Sequence, residues 1–284
     1  MQEYQELLQK FIVNALAEDE GDGDHTSLST IPEGSTGAAK LLIKEEGVVA
    51  GVSVALEIFR LVDPGLEAEV LIGDGARVSP GDIVLVVKGS DRSILLAERL
   101  VLNTMQRMSG IATATRYIAE RLEGTRTRVL DTRKTTPNLR FLEKMAVKIG
   151  GGTNHRFGLY DMILIKDNHV DYAGGIANAL KAARQYLVEK QKQLAIEIEV
   201  RSIGELEQVL AEGGADRILL DNFDYETLRT AVKLINGRYV TEASGGITAE
   251  NALEYAGCGV DFISMGALTH SVKSLDMSLK AMHE

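Results

Sequence analysis

Apolar side chains recur at helical spacing in three stretches of the first half of the chain. They predict an amphipathic helix over residues 4–18, a short helix over about 52–62 and a long helix over 92–123. A kink or break in the long helix is expected near Ser109-Gly110. The Gly- and Asp-rich stretch GDGDHTS follows the first helix and predicts a loop.

Between residues 36 and 89 the pattern changes to short β-like runs separated by turn residues. The runs are AAKLLIKEEGVVAG, EAEVLIG and DIVLVVKG, and the turns include Asp63-Pro64-Gly65 and Ser79-Pro80-Gly81. With the helices around them, these runs predict a small N-terminal α+β domain over residues 1–125. We leave open that part of the C-terminal end of the chain packs back on this domain.

After residue 126, short apolar strands alternate with helix-like stretches. The strands are VLDT, MILIK, IEIEV, RILLD, YVTEAS and FISMG. Such alternation implies parallel strands joined by right-handed crossovers. Because no GxGxxG turn follows the first strand, the pattern favours an α/β barrel over a dinucleotide-binding sheet. We predict this barrel over residues 126–284.

Polar residues cluster where these strands end, which is where the active site of an α/β barrel lies. The positions are Asp131 to Lys134, Lys166 to His169, Glu197 and Glu199, Asp221-Asn222, Glu242 to Gly246, and Ser264 to Gly266. A single polar residue after a strand usually belongs to a solvated loop. Six strands that end in this way together predict a functional site.

The 284-residue chain has a formal net charge of −10, with 25% charged and 45% hydrophobic residues, as in ordinary soluble globular proteins. Nucleic-acid binders usually have a basic balance, so that class is disfavoured. Between Arg126 and Lys166, however, nine Lys and Arg residues stand against three acids. Some adjoin strand ends, and His155 and Arg156 follow the Gly150–Gly152 run. Converging cations suit a ligand with several phosphates or carboxylates.

Acidic and small residues end other strands. Glu199 and Asp221 suit ribose hydroxyls or a Mg²⁺ ion carried by a phosphate. Ser244-Gly245-Gly246 and Ser264-Met265-Gly266 end the last two strands, where barrels often bind phosphate through backbone N–H groups. The residues therefore predict a pocket for a phosphorylated, polyanionic sugar and a second anionic substrate.

A single cysteine, Cys258, excludes an intramolecular disulfide and a cysteine-rich metal site, and we interpret it as a small core residue. The N-terminus lacks a basic head followed by a long apolar run. No window approaches the roughly 20 apolar residues that a membrane span needs. We therefore expect a cytoplasmic protein that does not interact with membranes.

Several segments resemble the quinolinate phosphoribosyltransferase family. They are AERLVLNTMQRMSGIAT (97–113), DTRKTTPNLRFLEKMAVKIGGGTNHRFGLYDMILIKDNH (131–169), EIEV (197–200), LLDNF (219–223), EASGGI (242–247) and SMGALTHS (264–271), and GDHTS near the N-terminus also fits. The 131–169 block is the most specific. The resemblance implies an α/β fold, with an incomplete α/β barrel and a smaller N-terminal α+β sandwich-like domain.

The family joins quinolinate to phosphoribosyl pyrophosphate with Mg²⁺, which yields nicotinate mononucleotide, pyrophosphate and CO₂ for NAD biosynthesis. Carried over position by position, the residues implied for the quinolinate and diphosphate region are Thr132, Arg133, Lys134, His155, Arg156 and Lys166. Glu199 and Asp221 would hold ribose hydroxyls or Mg²⁺, and the two small-residue strand ends would hold the 5′-phosphate. The implied catalytic residues are Lys134, Lys166, Glu199 and Asp221. The sequence does not depart from the family at these positions.

The resemblance also implies a homodimer with a shared active site, in which Arg99 reaches the barrel of the partner; a higher oligomer stays open. Three alternative functions compete with this interpretation. One is a paralogue of the same fold, such as the molybdenum-associated proteins that resemble the family. Another is an aldolase that forms a Schiff base on Lys166. The third is a barrel that binds a phosphosugar without turnover.

Overall fold

The structure is a computed structural model that describes residues 2–282. Its helices are α1 (Gln2–Glu20), α2 (His25–Thr30), α3 (Val52–Val62), α4 (Asp91–Arg121), α5 (Arg140–Ile149), α6 (Asp167–Ala173), α7 (Ile176–Glu189), α8 (Ile203–Glu212), α9 (Tyr225–Ile235), α10 (Ala252–Ala256) and α11 (Ala267–His270). Its strands are β1 (Thr36–Ile43), β2 (Gly47–Val48), β3 (Glu67–Val70), β4 (Arg77–Val78), β5 (Ile83–Ser90), β6 (Arg128–Leu130), β7 (Ile163–Ile165), β8 (Ile196–Val200), β9 (Arg217–Asp221), β10 (Val240–Ser244), β11 (Phe262–Ser264) and β12 (Met277–Met282).

The chain forms two compact units. The first contains the chain up to Arg116, residues 135–151 and the segment from Ser271 onward, and the second contains residues 117–134 and 152–270. Neither unit is continuous in sequence. The sequence predicts a division of the chain at residue 125 into two continuous segments, and that division stays a prediction.

The first unit contains a four-stranded antiparallel sheet with the order β12-β1-β5-β3. The last strand, β12, pairs with β1 from Met277 opposite Ile43 to Met282 opposite Ala38. Ala39, Leu41 and Ile43 are buried at alternate positions of β1, as expected for a strand with one face on a core. The predicted α+β character of this region is confirmed.

The predicted helices are present as α1, α3 and α4, and α3 has the predicted bounds. The loop predicted for GDGDHTS is wrong in its second half, because α2 begins there at His25. Asp24 is the reason: its carboxylate accepts a hydrogen bond of 3.0 Å from the Ser27 N–H. This N-cap satisfies a backbone donor that the start of a helix leaves unpaired.

The break expected at Ser109-Gly110 is also wrong, because α4 continues through this pair, while a kink there stays a prediction. The Ser109 hydroxyl accepts a hydrogen bond from Ala50 N–H (2.9 Å) and donates one to Ala50 O (3.2 Å). Gly110 has a packing role: a Cβ atom there would lie 2.2 Å from the carbonyl oxygen of Lys273. The glycine therefore permits a close backbone approach to the helix.

The second unit contains a six-stranded, barrel-like sheet with the order β6-β11-β10-β9-β8-β7, in which all pairings are parallel. Its strands are the six that the sequence predicts, so the α/β barrel class is confirmed. Ile196, Ile198 and Val200 alternate along β8 and are buried. Glu197 and Glu199 therefore share the opposite face of the sheet.

Two smaller expectations concern the core and the membrane. Cys258 is buried, with 5% of its surface exposed, as a small core residue should be. Within residues 2–282, no helix is both long enough and apolar enough to cross a membrane.

Replacement of Gly110 by alanine tests the close approach in the first unit. We expect Gly110→Ala to lower the free energy of unfolding by about 2 kcal/mol, because the Lys273 carbonyl must move. The better helix propensity of alanine acts in the opposite direction, with a gain in stability of about 1 kcal/mol. Urea unfolding of the two proteins measures the difference.

Gly73→Ala is the matched control, because nothing lies within 4 Å of a Cβ atom at this position. Its stability should stay within about 0.5 kcal/mol of that of the parent protein. Equal stabilities for both variants would contradict a packing role of Gly110.

Candidate active site

A cavity of about 690 Å³ opens in the second unit at the carboxyl ends of the parallel strands. The sequence-predicted residues that line it are Thr132, Arg133, Lys134, His155, Arg156, Lys166, Glu199, Asp221, Ser244, Gly245, Gly246, Ser264, Met265 and Gly266. Arg99 lies elsewhere, as an exposed residue of α4 in the first unit. Apart from Arg99, the residues that the family resemblance assigns to ligands thus surround one pocket, whereas the strand-end residues Asp131, Glu197 and Asp167 to His169 do not line it.

The segment after β6 forms a basic wall of this pocket. Thr132 Oγ1 accepts a hydrogen bond of 3.0 Å from Lys134 N–H, and Lys134 O accepts one of 2.8 Å from Thr269 Oγ1. A Cβ atom at Gly266 would lie 2.9 Å from Lys134 Cδ. The glycine after β11 therefore leaves room for the lysine stem, while the Lys134 side chain stays exposed to the pocket.

Two arginines in the wall each have a buried donor without a hydrogen-bond acceptor. Arg133 Nε and Arg156 Nε are both buried, and neither has a hydrogen-bond acceptor among the residues that the structure describes. Burial lowers the pKa of Arg156, and the positive charge of Arg133 lowers it further. Since unpaired buried donors are costly, the pair is suited to an anion that enters from the pocket.

His155 connects this wall to the interior of the sheet. Its backbone N–H donates to Asp131 Oδ1 (2.8 Å), and its Nδ1 accepts from the Arg156 N–H (2.7 Å). Its Nε2 lies 2.9 Å from Glu197 Oε2. Backbone and ring are therefore both held in place, and only 7% of the side chain is exposed.

A pair of carboxylates, Glu199 and Asp221, lies on the strands β8 and β9. The pKa of Glu199 is raised, first by burial and then by the negative charge of Asp221. Lys166 partly offsets this shift, and its Nζ lies 3.8 Å from Glu199 Oε2. Asp221 Oδ2 accepts a 2.6 Å hydrogen bond from Asn222 Nδ2. Two carboxylates that repel each other favour a ligand that brings a cation or hydrogen-bond donors.

The loop after β10 leaves its backbone open to a ligand. Gly245 (φ 95°) and Gly246 (φ 61°) adopt left-handed conformations that favour glycine. A Cβ atom at Gly245 would lie 2.2 Å from Asn222 Oδ1. Asn251 fixes the far side, because its Nδ2 donates to Gly246 O (3.0 Å) and its Oδ1 accepts from Thr248 N–H (2.8 Å). A rigid glycine turn of this kind suits a phosphate group.

Glu242 of β10 forms part of the pocket floor, although it is fully buried. Burial raises its pKa to about 7, and the neighbouring Glu197 carboxylate adds to the shift. The His155 charge and the Ser264 hydroxyl oppose the shift, and so does Arg217, whose Nη1 lies 3.1 Å from Glu242 Oε2.

Sequence reasoning did not assign a site role to several lining residues. These are Leu164, Leu219, Ile247, Thr248, Ala267 and His270. Asn222 and Glu242, which also line the pocket, were predicted only as members of the polar strand ends, with no ligand assigned to them. A signal for Glu242 was present, since it stands two residues before Ser244 on one strand and must share its face. Similarly, Leu219 stands two residues before Asp221. His270 lies in the SMGALTHS segment but carries no strand-end signal of its own.

Comparisons with known proteins agree with this geometry. The family model described as the N-terminal domain of quinolinate phosphoribosyl transferase matches residues 24–109, and the model of its C-terminal domain matches residues 111–280. The two models together span most of the chain, including every residue that lines the pocket.

Among curated relatives, the chloroplastic nicotinate-nucleotide pyrophosphorylase [carboxylating] of Arabidopsis thaliana is 48% identical and covers 96% of this chain and 82% of its own. The probable nicotinate-nucleotide pyrophosphorylase [carboxylating] of Bacillus subtilis is 44% identical and covers 96% of this chain and 92% of its own. The solved structure of the nicotinate-nucleotide pyrophosphorylase from Francisella tularensis has a TM-score of 0.91 at 37% identity. The match covers 98% of this chain and 96% of that one. On these matches, the chain belongs to the quinolinate phosphoribosyltransferase family.

Proposed function

We propose that this protein transfers a phosphoribosyl group from phosphoribosyl pyrophosphate to quinolinate and releases CO₂, forming nicotinate mononucleotide for NAD biosynthesis. The observation that carries the proposal is the pair of half-buried arginines, Arg133 and Arg156, whose buried Nε atoms have no acceptor among the described residues. They face the same cavity as a glycine turn and two carboxylates. Quinolinate, with two adjacent carboxylates, and a phosphorylated ribose match this combination of groups.

The reaction can be written with all atoms accounted for. The pyridine nitrogen of quinolinate forms a bond to the anomeric carbon of the ribose, and the bond from that carbon to the diphosphate oxygen breaks. The ring nitrogen is then cationic. The bond between ring carbon 2 and its carboxylate breaks to release CO₂, the electron pair stays on the ring carbon next to the cationic nitrogen, and a proton replaces the carboxylate.

The residues of the pocket fit these steps by charge. Arg133 and Arg156 would bind the quinolinate carboxylates, and Lys134 would bind the leaving diphosphate. Glu199 and Asp221 would support positive charge that develops on the ribose, and the turn at Gly245 would hold its 5′-phosphate. Fixed charges placed where charge develops lower the barrier. They also hold together two substrates that repel each other.

The donor set fits a magnesium ion. Glu199 and Asp221 supply carboxylate oxygens, the ligand type that Mg²⁺ prefers. Burial raises the pKa of Glu199, and the negative charge of Asp221 raises it further. When bound with the diphosphate, Mg²⁺ would neutralise part of its charge. Lys166, whose Nζ is 3.8 Å from Glu199, would compete with or complement the ion at this side of the pocket.

We propose further that the enzyme is a homodimer in which Arg99 completes the pocket of the partner. Arg99 is exposed on α4 and does not line the pocket of its own chain. This position and the family resemblance both support the arrangement. Assembly beyond the dimer stays open. A cytoplasmic location stays a prediction, since some curated relatives have names that place them in chloroplasts or mitochondria.

The central test is incubation with quinolinate, phosphoribosyl pyrophosphate and Mg²⁺, followed by detection of nicotinate mononucleotide. Nicotinic acid should be turned over at least about 100-fold less efficiently, because without the 2-carboxylate one buried cation stays unpaired. Comparable use of nicotinic acid would contradict the assignment. Binding of the phosphosugar without turnover would favour the sensor alternative, and borohydride trapping on Lys166 would favour the aldolase.

Removal of metal tests the role assigned to Glu199 and Asp221. Activity should vanish in excess EDTA and return with added Mg²⁺, since these carboxylates are expected to act on the ribose and diphosphate side. The turnover assay measures both states. If EDTA leaves the rate unchanged, the two carboxylates bind ribose hydroxyls and no metal.

A mixing experiment tests the shared site. Arg99→Ala and Lys134→Ala homodimers should each be nearly inactive, because each pocket lacks one cation. In a mixed dimer, one pocket has both defects and the other has neither, since the two residues come from different chains. Co-refolding of equal amounts should therefore restore about a quarter of wild-type activity, if assortment is random.

The control is a mixture of Lys134→Ala with Lys166→Ala, two residues that line the pocket of one chain. That mixture should stay inactive. If the Arg99 mixture is equally inactive although mixed dimers form, Arg99 acts within its own chain.

A further inference from the structure

Asn222, the residue after β9, has a backbone conformation that few residues adopt. Its φ is 57°, in the left-handed region that favours glycine and that asparagine tolerates. Of the non-glycine residues with positive φ in the part of the chain that the structure describes, Asn222 alone lines the pocket. A residue held in a sparsely populated conformation at a pocket is a candidate for a functional role.

The main chain of Asn222 connects the end of β9 to the glycine turn after β10. Asp221 and Ser244 are opposite each other in the parallel ladder, and the next N–H, that of Asn222, donates to Ser244 O (2.8 Å). Gly245 follows directly in sequence. A Cβ atom at Gly245 would lie 3.0 Å from Asn222 N and 2.2 Å from Asn222 Oδ1. The asparagine therefore packs against the turn, in the space that a larger residue at position 245 would need.

The side chain of Asn222 connects the same turn to the Asp221 carboxylate. Its Nδ2 donates to Asp221 Oδ2 (2.6 Å), while its Oδ1 lies on the side of Gly245. The reverse orientation of the amide would place one acceptor against another, because a carboxylate has no donor. Among the residues that the structure describes, no second donor to this carboxylate is present. The direction of the Asp221 carboxylate therefore depends on the asparagine.

We propose that Asn222 is a positioning residue for the phosphosugar: its side chain holds the Asp221 carboxylate and its main chain holds the glycine turn, so that the two lie at a fixed spacing. This inference rests on the proposed function, in which Asp221 faces the ribose and the turn at Gly245 binds the 5′-phosphate. A ribose phosphate carries hydroxyls and phosphate on one small framework, so a fixed spacing favours its binding. Quinolinate, which Arg133 and Arg156 would bind, does not depend on this spacing.

Two other roles compete with this one. In the first, the exposed side chain of Asn222 contacts the substrate itself, since it lines the pocket. In the second, asparagine serves only the left-handed turn, and glycine would replace it without loss. A glycine variant and a double-mutant cycle distinguish the three roles.

Asn222→Gly removes the amide but retains the left-handed conformation and the main-chain N–H. We expect this variant to raise the KM for phosphoribosyl pyrophosphate by at least about tenfold, because a hydrogen bond to a charged group is lost. The KM for quinolinate should change by less than about threefold. The urea midpoint should stay close to that of the wild type, since glycine is favoured at this φ. Wild-type constants in Asn222→Gly would overturn the proposal, and so would an equal rise in both KM values.

Asn236→Gly is the matched control. Asn236 is also left-handed (φ 48°) and exposed, but it ends α9 and does not line the pocket. The same substitution in the same backbone conformation should therefore change neither KM. A rise in the KM for phosphoribosyl pyrophosphate equal to that of Asn222→Gly would assign the effect to the loss of any left-handed asparagine, and the positioning role would be wrong.

A double-mutant cycle with Asp221→Ala distinguishes positioning from direct contact. If the Asn222 side chain acts through the Asp221 carboxylate, its loss should have little further effect once that carboxylate is absent. In the Asp221→Ala background, Asn222→Gly should therefore lower kcat/KM for phosphoribosyl pyrophosphate by less than about threefold. A further loss of about tenfold in this background would mean that the asparagine contacts the substrate itself, which would overturn the positioning role.

Calorimetric titration with ribose 5-phosphate, in the absence of metal, gives a readout that does not need turnover. Asn222→Gly should weaken this binding by at least about tenfold and leave the affinity for quinolinate within about threefold of wild type. A wild-type protein that binds ribose 5-phosphate but forms no nicotinate mononucleotide would overturn the proposed function, while the titration would still test Asn222. An unchanged affinity of Asn222→Gly for ribose 5-phosphate would overturn the positioning role.

Discussion

The parallel register of β8, β9 and β10 is the constraint on which the pocket depends. Side chains two residues apart share a face of a strand, so Glu197 and Glu199 on β8 have the same orientation. On β9, Arg217 pairs with Glu197 and Leu219 pairs with Glu199. A slip of one residue would replace these groups with Ile198 and Ile218, which now lie buried on the other face. The register thus fixes both the core of the second unit and the chemical character of its pocket.

Electrostatic imbalance is present at two depths of this pocket, and it is resolved in different ways. Near the opening, Arg133 and Arg156 have donors that the described residues leave unpaired, so an anionic ligand would complete them. In the interior, burial and the neighbouring Glu197 carboxylate raise the pKa of Glu242 to about 7, and His155 and Arg217 oppose this shift. The first imbalance favours binding, because free energy lost by leaving the arginines unpaired is recovered with the substrate. The charge of the interior carboxylates can be compensated without a ligand, so this pair is suited to a structural role.

Much of the fold could be predicted from the sequence because its signals are local. The six parallel strands are short apolar runs, and polar strand ends marked the pocket residues. One error arose where a tertiary contact decides the outcome: a break was expected at Gly110, but the helix continues and this glycine lies against the backbone near Lys273. The start of α2, in contrast, depends on the local N-cap at Asp24, which the sequence analysis did not recognise. The pairing of β12 with β1 joins distant parts of the chain, and no local pattern specifies it. Likewise, the site role of Glu242 depends on Arg217 and His155, which are far from it in sequence.

His155 connects the arginines near the pocket opening with the glutamates in the interior. It precedes Arg156 in sequence, its Nδ1 holds the Arg156 N–H, and its Nε2 faces the interior glutamates. An imidazole can connect two polar groups in this way because its nitrogens lie on different sides of a rigid ring. Asp131 adds a third restraint by accepting the His155 N–H at 2.8 Å. These restraints hold the main chain from which the Arg156 side chain extends, and a preorganised chain loses less entropy when a ligand binds.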